Sequence, residues 1–266
     1  MKVHLRSALF ALSALAAGLA GSCGDTTASQ ASTVKPTIVL VHGAFAESSS
    51  WSEVIPLLQH DGYRVIAAAN PLRSVASDAA EISSLLSTIQ GPVVLVGHSY
   101  AGTVNTVAAN GHANVKALVY VSAFEPDVGE SSGALTAHDP GATLNAALAP
   151  PVTLSDGSHD LYVDAAKFHA QFAADTSDEA AALAAVTQRP IRDAALGEAA
   201  TAAAWKTIPS YTIYGDADLN IPPATMAFMA NRAHSRHTVV IHGGSHVVML
   251  SHPRDVAALI EEAATH

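Results

Sequence analysis

The stretch VVLVGHSYAG, residues 93–102, combines an apolar run with a serine and two closely spaced glycines. The β-branched start of this run is typical of a strand buried on both faces of a parallel sheet. The serine, Ser99, stands in a pattern close to Gly-x-Ser-x-Gly, in which a strand turns sharply into a helix and exposes the hydroxyl. Ala101 occupies the place of the last glycine, and Gly102 follows one residue late. The stretch therefore predicts a tight turn at Ser99, with a helix beginning at Tyr100.

Apolar runs of similar length alternate with amphipathic segments along the rest of the chain. The predicted strands lie within residues 37–45, 63–71, 92–99, 115–124, 210–218 and 237–244, and a tight loop ends the first of these runs. The predicted helices are residues 48–62, 77–91, 100–111, 222–233 and 252–264. Strands that alternate with helices of this length predict an α/β fold with right-handed crossovers. We expect a mostly parallel central sheet flanked by helices.

The alternation is interrupted between about residues 125 and 204. This stretch is rich in alanine and reads as mostly helical, with irregular segments that contain proline and glycine. An insertion between two strands of an open α/β sheet lies at the carboxyl edge, where such folds bind ligands. We interpret it as a cap over a site; the alternative is additional helical packing without a gating role.

The N-terminus has the composition of an export signal. A short basic segment precedes an apolar stretch that is too short to predict a membrane span, and residues 1–22 are interpreted as a signal peptide. Residues 23–36 form a polar tether and residues 37–266 the folded domain. The mature protein is expected to be periplasmic or secreted, without an integral membrane span. Alternatively, Cys23 carries a lipid anchor; as the sole cysteine, it cannot form an internal disulfide.

The composition limits the classes of partner. Thirteen Lys and Arg against 23 Asp and Glu give a net charge of −10, and the chain has no basic run, so nucleic acid is not an expected partner. There are 14 histidines, but they do not form a His-x-x-x-His pair on a predicted helix with a carboxylate partner, so no metal site is predicted. A small molecule is the expected partner.

A serine hydroxyl becomes a strong nucleophile only beside a base, which in turn needs an acid to orient it. His246 follows the last predicted strand and precedes the final helix, which is the position expected of the base. Asp218 follows the preceding strand and is preferred to Asp216, which is interpreted as a turn residue that bonds within its own loop. His242 is placed inside the last strand as a structural residue. The three candidate residues occur along the chain in the order Ser99, Asp218, His246.

An oxyanion hole requires two backbone N–H groups that point to the developing charge. The predicted donors are Tyr100, which follows the serine, and Ala44 in the loop after the first strand, with Phe45 as the second choice. His42 is interpreted as a residue that braces this loop. Three aromatic side chains are proposed to line the substrate pocket, namely Phe45, Phe168 and Phe172.

The segments LVHGAF, GPVVLVGHSYAG, VKALVYVSAF, DLNIPP and SHVVMLSHP resemble those of the α/β-hydrolase superfamily. The chain is most similar to small esterases of the plant methyl esterase and hydroxynitrile lyase branch, here as a bacterial exported member. The resemblance extends over about residues 37–264. It implies that carboxylic esters are hydrolysed through an acyl-enzyme on Ser99, without a cofactor.

Two positions depart from the lyases of that branch. Those enzymes carry a lysine after the catalytic histidine and a threonine where this chain has Gly43, whereas Val247 follows His246 here. These departures disfavour lyase activity. Perhydrolysis, in which peroxide attacks the acyl-enzyme, stays open as an alternative. So does a ligand-binding protein built on a hydrolase scaffold with little turnover.

Overall fold

The computed structural model describes residues 34–265, and its strands divide into two sheets. The strands of the described chain are β1 (Thr37–Val41), β2 (Val65–Ala68), β3 (Val93–His98), β4 (Val115–Val121), β5 (Val152–Thr153), β6 (His159–Leu161), β7 (Ile191–Arg192), β8 (Ser210–Gly215) and β9 (Thr238–Ile241). Six of them form a parallel sheet in the order β2-β1-β3-β4-β8-β9. The predicted parallel α/β architecture is confirmed.

The strand that precedes Ser99 lies inside this sheet. β3 pairs with β1 on one side and with β4 on the other, and every residue of β3 is buried. β1 is likewise buried along its whole length. Continuous apolar runs are required here because helices cover both faces of a parallel sheet. Ser99 therefore emerges at the carboxyl edge between two neighbouring strands.

The helices occupy the connections between strands and the segment after the last strand. They are α1 (Val54–His60), α2 (Val75–Thr88), α3 (Tyr100–Ala108), α4 (Ser132–Thr136), α5 (Leu144–Ala147), α6 (Ala165–Phe172), α7 (Asp178–Thr187), α8 (Pro223–Arg232), α9 (Val248–Ser251) and α10 (Pro253–Thr265).

The first predicted helix, residues 48–62, is divided in the structure. A 3-10 turn at Ser48–Trp51 precedes α1, which begins only at Val54. Pro56 then falls in the first turn of α1, where its missing N–H leaves no helical hydrogen bond unmade. A single helix from residue 48 would place the same proline in the helix interior. The proline therefore accounts for the break.

The insertion between β4 and β8 is only partly helical. It contains α4 to α7, as the composition predicted, but also the antiparallel sheet β5-β6-β7. These strands are two or three residues long, too short for a periodic pattern to be visible in the sequence. We call residues 125–204 the cap.

The predicted signal peptide, Cys23 and the tether as far as residue 33 lie outside the described residues. Between residues 34 and 265, no helix has both the length and the apolar character needed to cross a bilayer.

Candidate active site

Ser99 occupies a strained turn between β3 and α3. Its backbone has φ 54° and ψ −123°, a conformation that non-glycine residues seldom adopt. Tertiary hydrogen bonds hold it there: the Ser99 N–H donates to the Val121 carbonyl at 3.2 Å, and the Ser99 carbonyl accepts from the Phe124 N–H at 3.2 Å. The turn thus points the hydroxyl away from the sheet edge, as an elbow requires.

The closest packing around this turn falls at Gly102. A Cβ on Gly102 would lie 2.1 Å from the Phe124 carbonyl oxygen, and one on Gly97 would lie 2.7 Å from Asn105 Nδ2. Ala101, at the position where the motif usually has glycine, is fully buried and accommodated. The tight approach of α3 to the segment after β4 therefore occurs one residue later than in the usual motif.

The loops that carry the acid and the base are brought together by a second close backbone approach. A Cβ on Gly215, the last residue of β8, would lie 2.0 Å from the Gly244 carbonyl oxygen. The Ala217 N–H donates to that same carbonyl at 3.0 Å. Because the two loops cross at this point, Asp218 and His246 reach the same side of the sheet edge.

The structure brings together the three residues proposed for catalysis. His246 Nε2 lies 2.9 Å from Ser99 Oγ, and His246 Nδ1 lies 2.6 Å from Asp218 Oδ2. The histidine and aspartate side chains are only 1% and 0% exposed. Since an ionised carboxylate can only accept, Nδ1 carries the proton and Nε2 is free to accept the serine proton.

The second oxygen of Asp218 fixes the orientation of the carboxylate. Asp218 Oδ1 accepts from the N–H groups of Asn220 at 2.7 Å and Ile221 at 3.1 Å. These bonds satisfy a buried anion and turn Oδ2 towards the histidine.

Asp216 and His242 form a separate pair at the surface. Asp216 Oδ2 lies 2.8 Å from His242 Nδ1, and Asp216 Oδ1 accepts from the Gly243 N–H at 2.7 Å. The prediction that Asp216 bonds within its own loop is wrong, because its partners belong to the loop after β9. His242 lies one residue beyond β9 rather than inside it. Both hydrogen bonds tie the two crossing loops together.

His98, which sequence reasoning missed, supports the histidine loop. It is fully buried, with its ring centroid 4.8 Å from that of His246. Burial and the neighbouring His246 place the pKa of His98 well below its ordinary value of 6.5, so the ring is neutral. Its Nε2–H donates to the His246 carbonyl at 3.1 Å. The only signal in the sequence is its place next to Ser99.

The two predicted oxyanion donors are available. Within residues 34–265, the N–H groups of Ala44 and Tyr100 donate to no other protein acceptor. The Phe45 N–H, by contrast, donates to the Arg189 carbonyl at 3.1 Å, so the second-choice donor is already engaged. The Tyr100 phenol points elsewhere and donates to Asp78 at 3.1 Å.

His42 bonds within the loop that carries Ala44. Its Nδ1–H donates to the Gly43 carbonyl at 3.0 Å, and its Nε2 accepts from the Asn70 N–H at 2.9 Å. Burial lowers the pKa of His42, which favours the neutral ring that both bonds require. These two bonds are those expected of a residue that holds the loop of Ala44 in place.

Hydrogen bonds join the cap to the loops of the site on two sides. The Arg189 backbone carbonyl accepts from the Phe45 N–H, and the Arg189 side chain donates to Glu47 Oε1 at 2.8 Å. On the other side, the Ser245 hydroxyl donates to Asp175 Oδ1, a residue between α6 and α7. The loop of the oxyanion donors and the loop of His246 are therefore both attached to the cap.

Two cavities adjoin the site. The inner cavity, of about 190 Å³, is lined by Ser99, His246, Ala44 and Tyr100 among others. The outer cavity, of about 640 Å³, lies under α6 and α7. The three predicted pocket aromatics divide between them: Phe45 and Phe172 line both cavities, and Phe168 lines the outer one.

Across residues 34–265, no group of three or more His, Cys, Asp or Glu side chains is arranged to hold a metal ion.

A parallel sheet whose third strand ends in a serine elbow, with an acid and a histidine after later strands, is the architecture of an α/β-hydrolase. Residues 38–259 match the sequence model of the Alpha/beta hydrolase family, and the chain belongs to that family.

Relatives and solved structures agree with this assignment. An alpha-hydroxynitrile lyase of Arabidopsis thaliana is 26% identical over 260 residues, covering 87% of this chain and 98% of the relative. The crystal structure of polyneuridine aldehyde esterase superposes with a TM-score of 0.74 at 18% identity, covering 86% of this chain and 98% of that chain. A pyrethroid hydrolase from Sphingobium faniae JZ-2 superposes with a TM-score of 0.68 at 21% identity, covering 86% of this chain and 97% of that chain. Esterases and hydrolases thus share the fold.

Proposed function

We propose that the protein is a serine carboxylesterase that hydrolyses small to medium carboxylic esters through an acyl-enzyme on Ser99. The observation that carries this proposal is the pair of contacts from His246, 2.9 Å to Ser99 Oγ and 2.6 Å to Asp218 Oδ2. A serine activated by a buried, oriented histidine is suited to attack a carbonyl carbon.

In the first half of the reaction, Ser99 Oγ attacks the ester carbonyl while His246 Nε2 accepts the hydroxyl proton. Asp218 stabilises the imidazolium that forms. The carbonyl oxygen, now an anion, accepts from the N–H groups of Ala44 and Tyr100, which have no competing protein acceptor among the described residues. His246 then gives the proton to the departing alkoxide. The alcohol leaves, and the acyl group stays on Ser99.

In the second half, a water molecule replaces the alcohol. His246 takes a proton from the water as its oxygen attacks the acyl carbon, and the same N–H groups hold the oxyanion. When the intermediate collapses, the proton passes to Ser99 Oγ and the carboxylic acid is released. The cycle consumes one ester and one water molecule, and Ser99 and His246 are restored.

Two features argue against cyanohydrin cleavage, the activity that the name of the Arabidopsis relative suggests. The residue after His246 is the buried, apolar Val247, which offers no charge to a cyanide ion. At Gly43, a Cβ would lie 2.7 Å from both the His98 carbonyl oxygen and Ser99 Cβ, so these two neighbours leave no room for a threonine. Both positions favour ester hydrolysis.

Active-site labelling with a fluorophosphonate, followed by peptide mass spectrometry, tests the proposal alongside hydrolysis of p-nitrophenyl butyrate. We expect a single adduct on Ser99 and loss of both adduct and turnover in Ser99→Ala. Ser50→Ala is the control, since Ser50 lines the outer cavity and has no histidine partner among the described residues; it should still be labelled. A folded wild-type protein without adduct or turnover would contradict the proposal and favour a ligand-binding protein.

A further inference from the structure

The inner and outer cavities are separated by two aromatic rings. Phe45 and Phe172 line both cavities, and their rings meet edge to face, with centroids 6.1 Å apart and planes at 89°. Both side chains are almost completely buried, at 2% and 1% exposure. Edge-to-face packing is a favourable geometry for an aromatic pair, so the rings hold each other in place. We call this pair the aromatic wall.

The wall stands next to the reacting groups. The ring of Phe172 lies 4.8 Å from that of His246, at 70°, and 5.0 Å from that of Phe168 on the outer side. A substrate that is too large for the inner cavity meets this ring while its carbonyl group approaches Ser99.

The volumes show what the wall excludes. Cavities that hold drug-sized ligands measure roughly 300–1,000 Å³. The inner cavity, at about 190 Å³, falls below that range, whereas the outer cavity, at about 640 Å³, falls within it. A large ester therefore gains the volume of the outer cavity when part of it extends through the wall.

The two members of the wall differ in what else they do. Phe45 belongs to the loop of the oxyanion donors, its backbone φ is 58°, and its N–H is bonded to the cap. Phe172 is the last residue of α6, and the hydrogen bond that it receives from Ser245, at 3.4 Å, uses its backbone carbonyl. A change in the Phe172 side chain therefore opens the wall without removing a backbone contact of the site.

We propose that Phe172 sets the upper size limit of the substrate, so that wild-type protein prefers short esters and the outer cavity is used only when the wall is opened. This inference rests on the proposed esterase function. It assigns substrate selection to a cap residue that takes no part in proton transfer.

The test compares kcat/KM for p-nitrophenyl acetate, butyrate and octanoate in wild type and in two variants, Phe172→Ala and Phe172→Leu. We expect the octanoate-to-acetate ratio to rise about 10-fold or more in Phe172→Ala, because each methylene admitted to an apolar pocket changes discrimination strongly. Phe172→Leu, which keeps most of the packing, should give a smaller rise in the same direction.

Leu183→Ala is the matched control. Leu183 lines the outer cavity but is 65% exposed, so its truncation enlarges that cavity and leaves the wall intact. Its octanoate-to-acetate ratio should stay close to the wild-type value. An equal rise in Leu183→Ala would overturn the inference, because outer-cavity volume and not the wall would then set the limit.

An unchanged ratio in folded Phe172 variants that still hydrolyse acetate would also overturn the inference, with the esterase function intact. Failure of the esterase function appears differently, as wild-type protein that hydrolyses none of the three esters through Ser99.

Discussion

Replacement of Glu125 by glutamine should make the protein more stable at neutral and alkaline pH. Glu125 is 1% exposed, and neither oxygen of its carboxylate makes a regular hydrogen bond to the described residues. The nearby Arg232 is occupied by Glu130, to which it donates at 2.7 and 2.9 Å. Burial therefore raises the pKa of Glu125 to about 8, opposed only in part by the Ser210 hydroxyl and the Arg232 charge.

The magnitude follows from proton linkage. Below pH 4.5, the ordinary value for this carboxyl, Glu125 is protonated in both the folded and the unfolded chain, and its ionisation costs nothing. Between pH 4.5 and about 8, the unfolded chain loses the proton while the folded chain keeps it, so the free energy of unfolding falls. At about 1.4 kcal/mol per pH unit, the total loss is on the order of 5 kcal/mol and is complete above pH 8.

Urea denaturation, followed by circular dichroism between pH 5 and 9, measures this directly. The difference in free energy of unfolding between Glu125→Gln and wild type should grow as the pH rises and level off above about pH 8. The control is Asp156→Asn. Hydrogen bonds from Ser158 lower the pKa of Asp156 to about 2, so the stability it contributes is already complete above its ordinary value of 3.8 and is lost only at lower pH. Its difference from wild type should therefore be constant from pH 5 to 9. A Glu125→Gln difference that does not change with pH would refute the reasoning.

Three further substitutions test other contacts. Asp218→Asn should lower kcat for p-nitrophenyl butyrate by about 10³–10⁴-fold, because an amide no longer secures the histidine tautomer; a loss below 10-fold would contradict this. Gly102→Ala should destabilise the fold by about 1–3 kcal/mol or more in urea, since the new Cβ would lie 2.1 Å from the Phe124 carbonyl; unchanged stability would contradict the close approach. Asp175→Asn should reduce kcat more than it raises KM, because the Ser245 hydroxyl loses its charged acceptor; a change in KM alone would rule out a positioning role.

The central sheet was predictable because its signals are local. The run Val93–Val96 before Ser99 is continuously apolar, and a run of that kind is typical of the interior of a parallel sheet. The positions of Asp218 and His246 followed from the same logic, since each stands just after a strand and the carboxyl ends of parallel strands share one edge. A reader of the sequence could thus select three residues that the structure brings within hydrogen-bond distance.

The contacts that the sequence did not reveal are all tertiary. A glycine is required at position 102 because the Phe124 carbonyl lies so close to it, and no local sequence pattern indicates this contact. The bond between Ser245 and Asp175 joins residues 70 positions apart. The hydrogen bond from His98 to the His246 carbonyl joins residues 148 positions apart, and His98 becomes completely buried only in the folded chain. The pairing of Asp216 with the loop after β9 was not predictable for the same reason, because the two loops cross only in the folded chain.

The attachment of both active-site loops to the cap has a consequence for how activity is lost on heating. One loop is bonded to Arg189 and the other to Asp175, so opening of the cap releases the oxyanion donors and the histidine together. Local opening of this kind requires less free energy than global unfolding. Thermal inactivation is therefore expected to be a single cooperative step that begins below the melting of the central sheet and coincides with proteolytic cleavage between α6 and α7. The cap would thus determine the temperature at which the whole active site is lost.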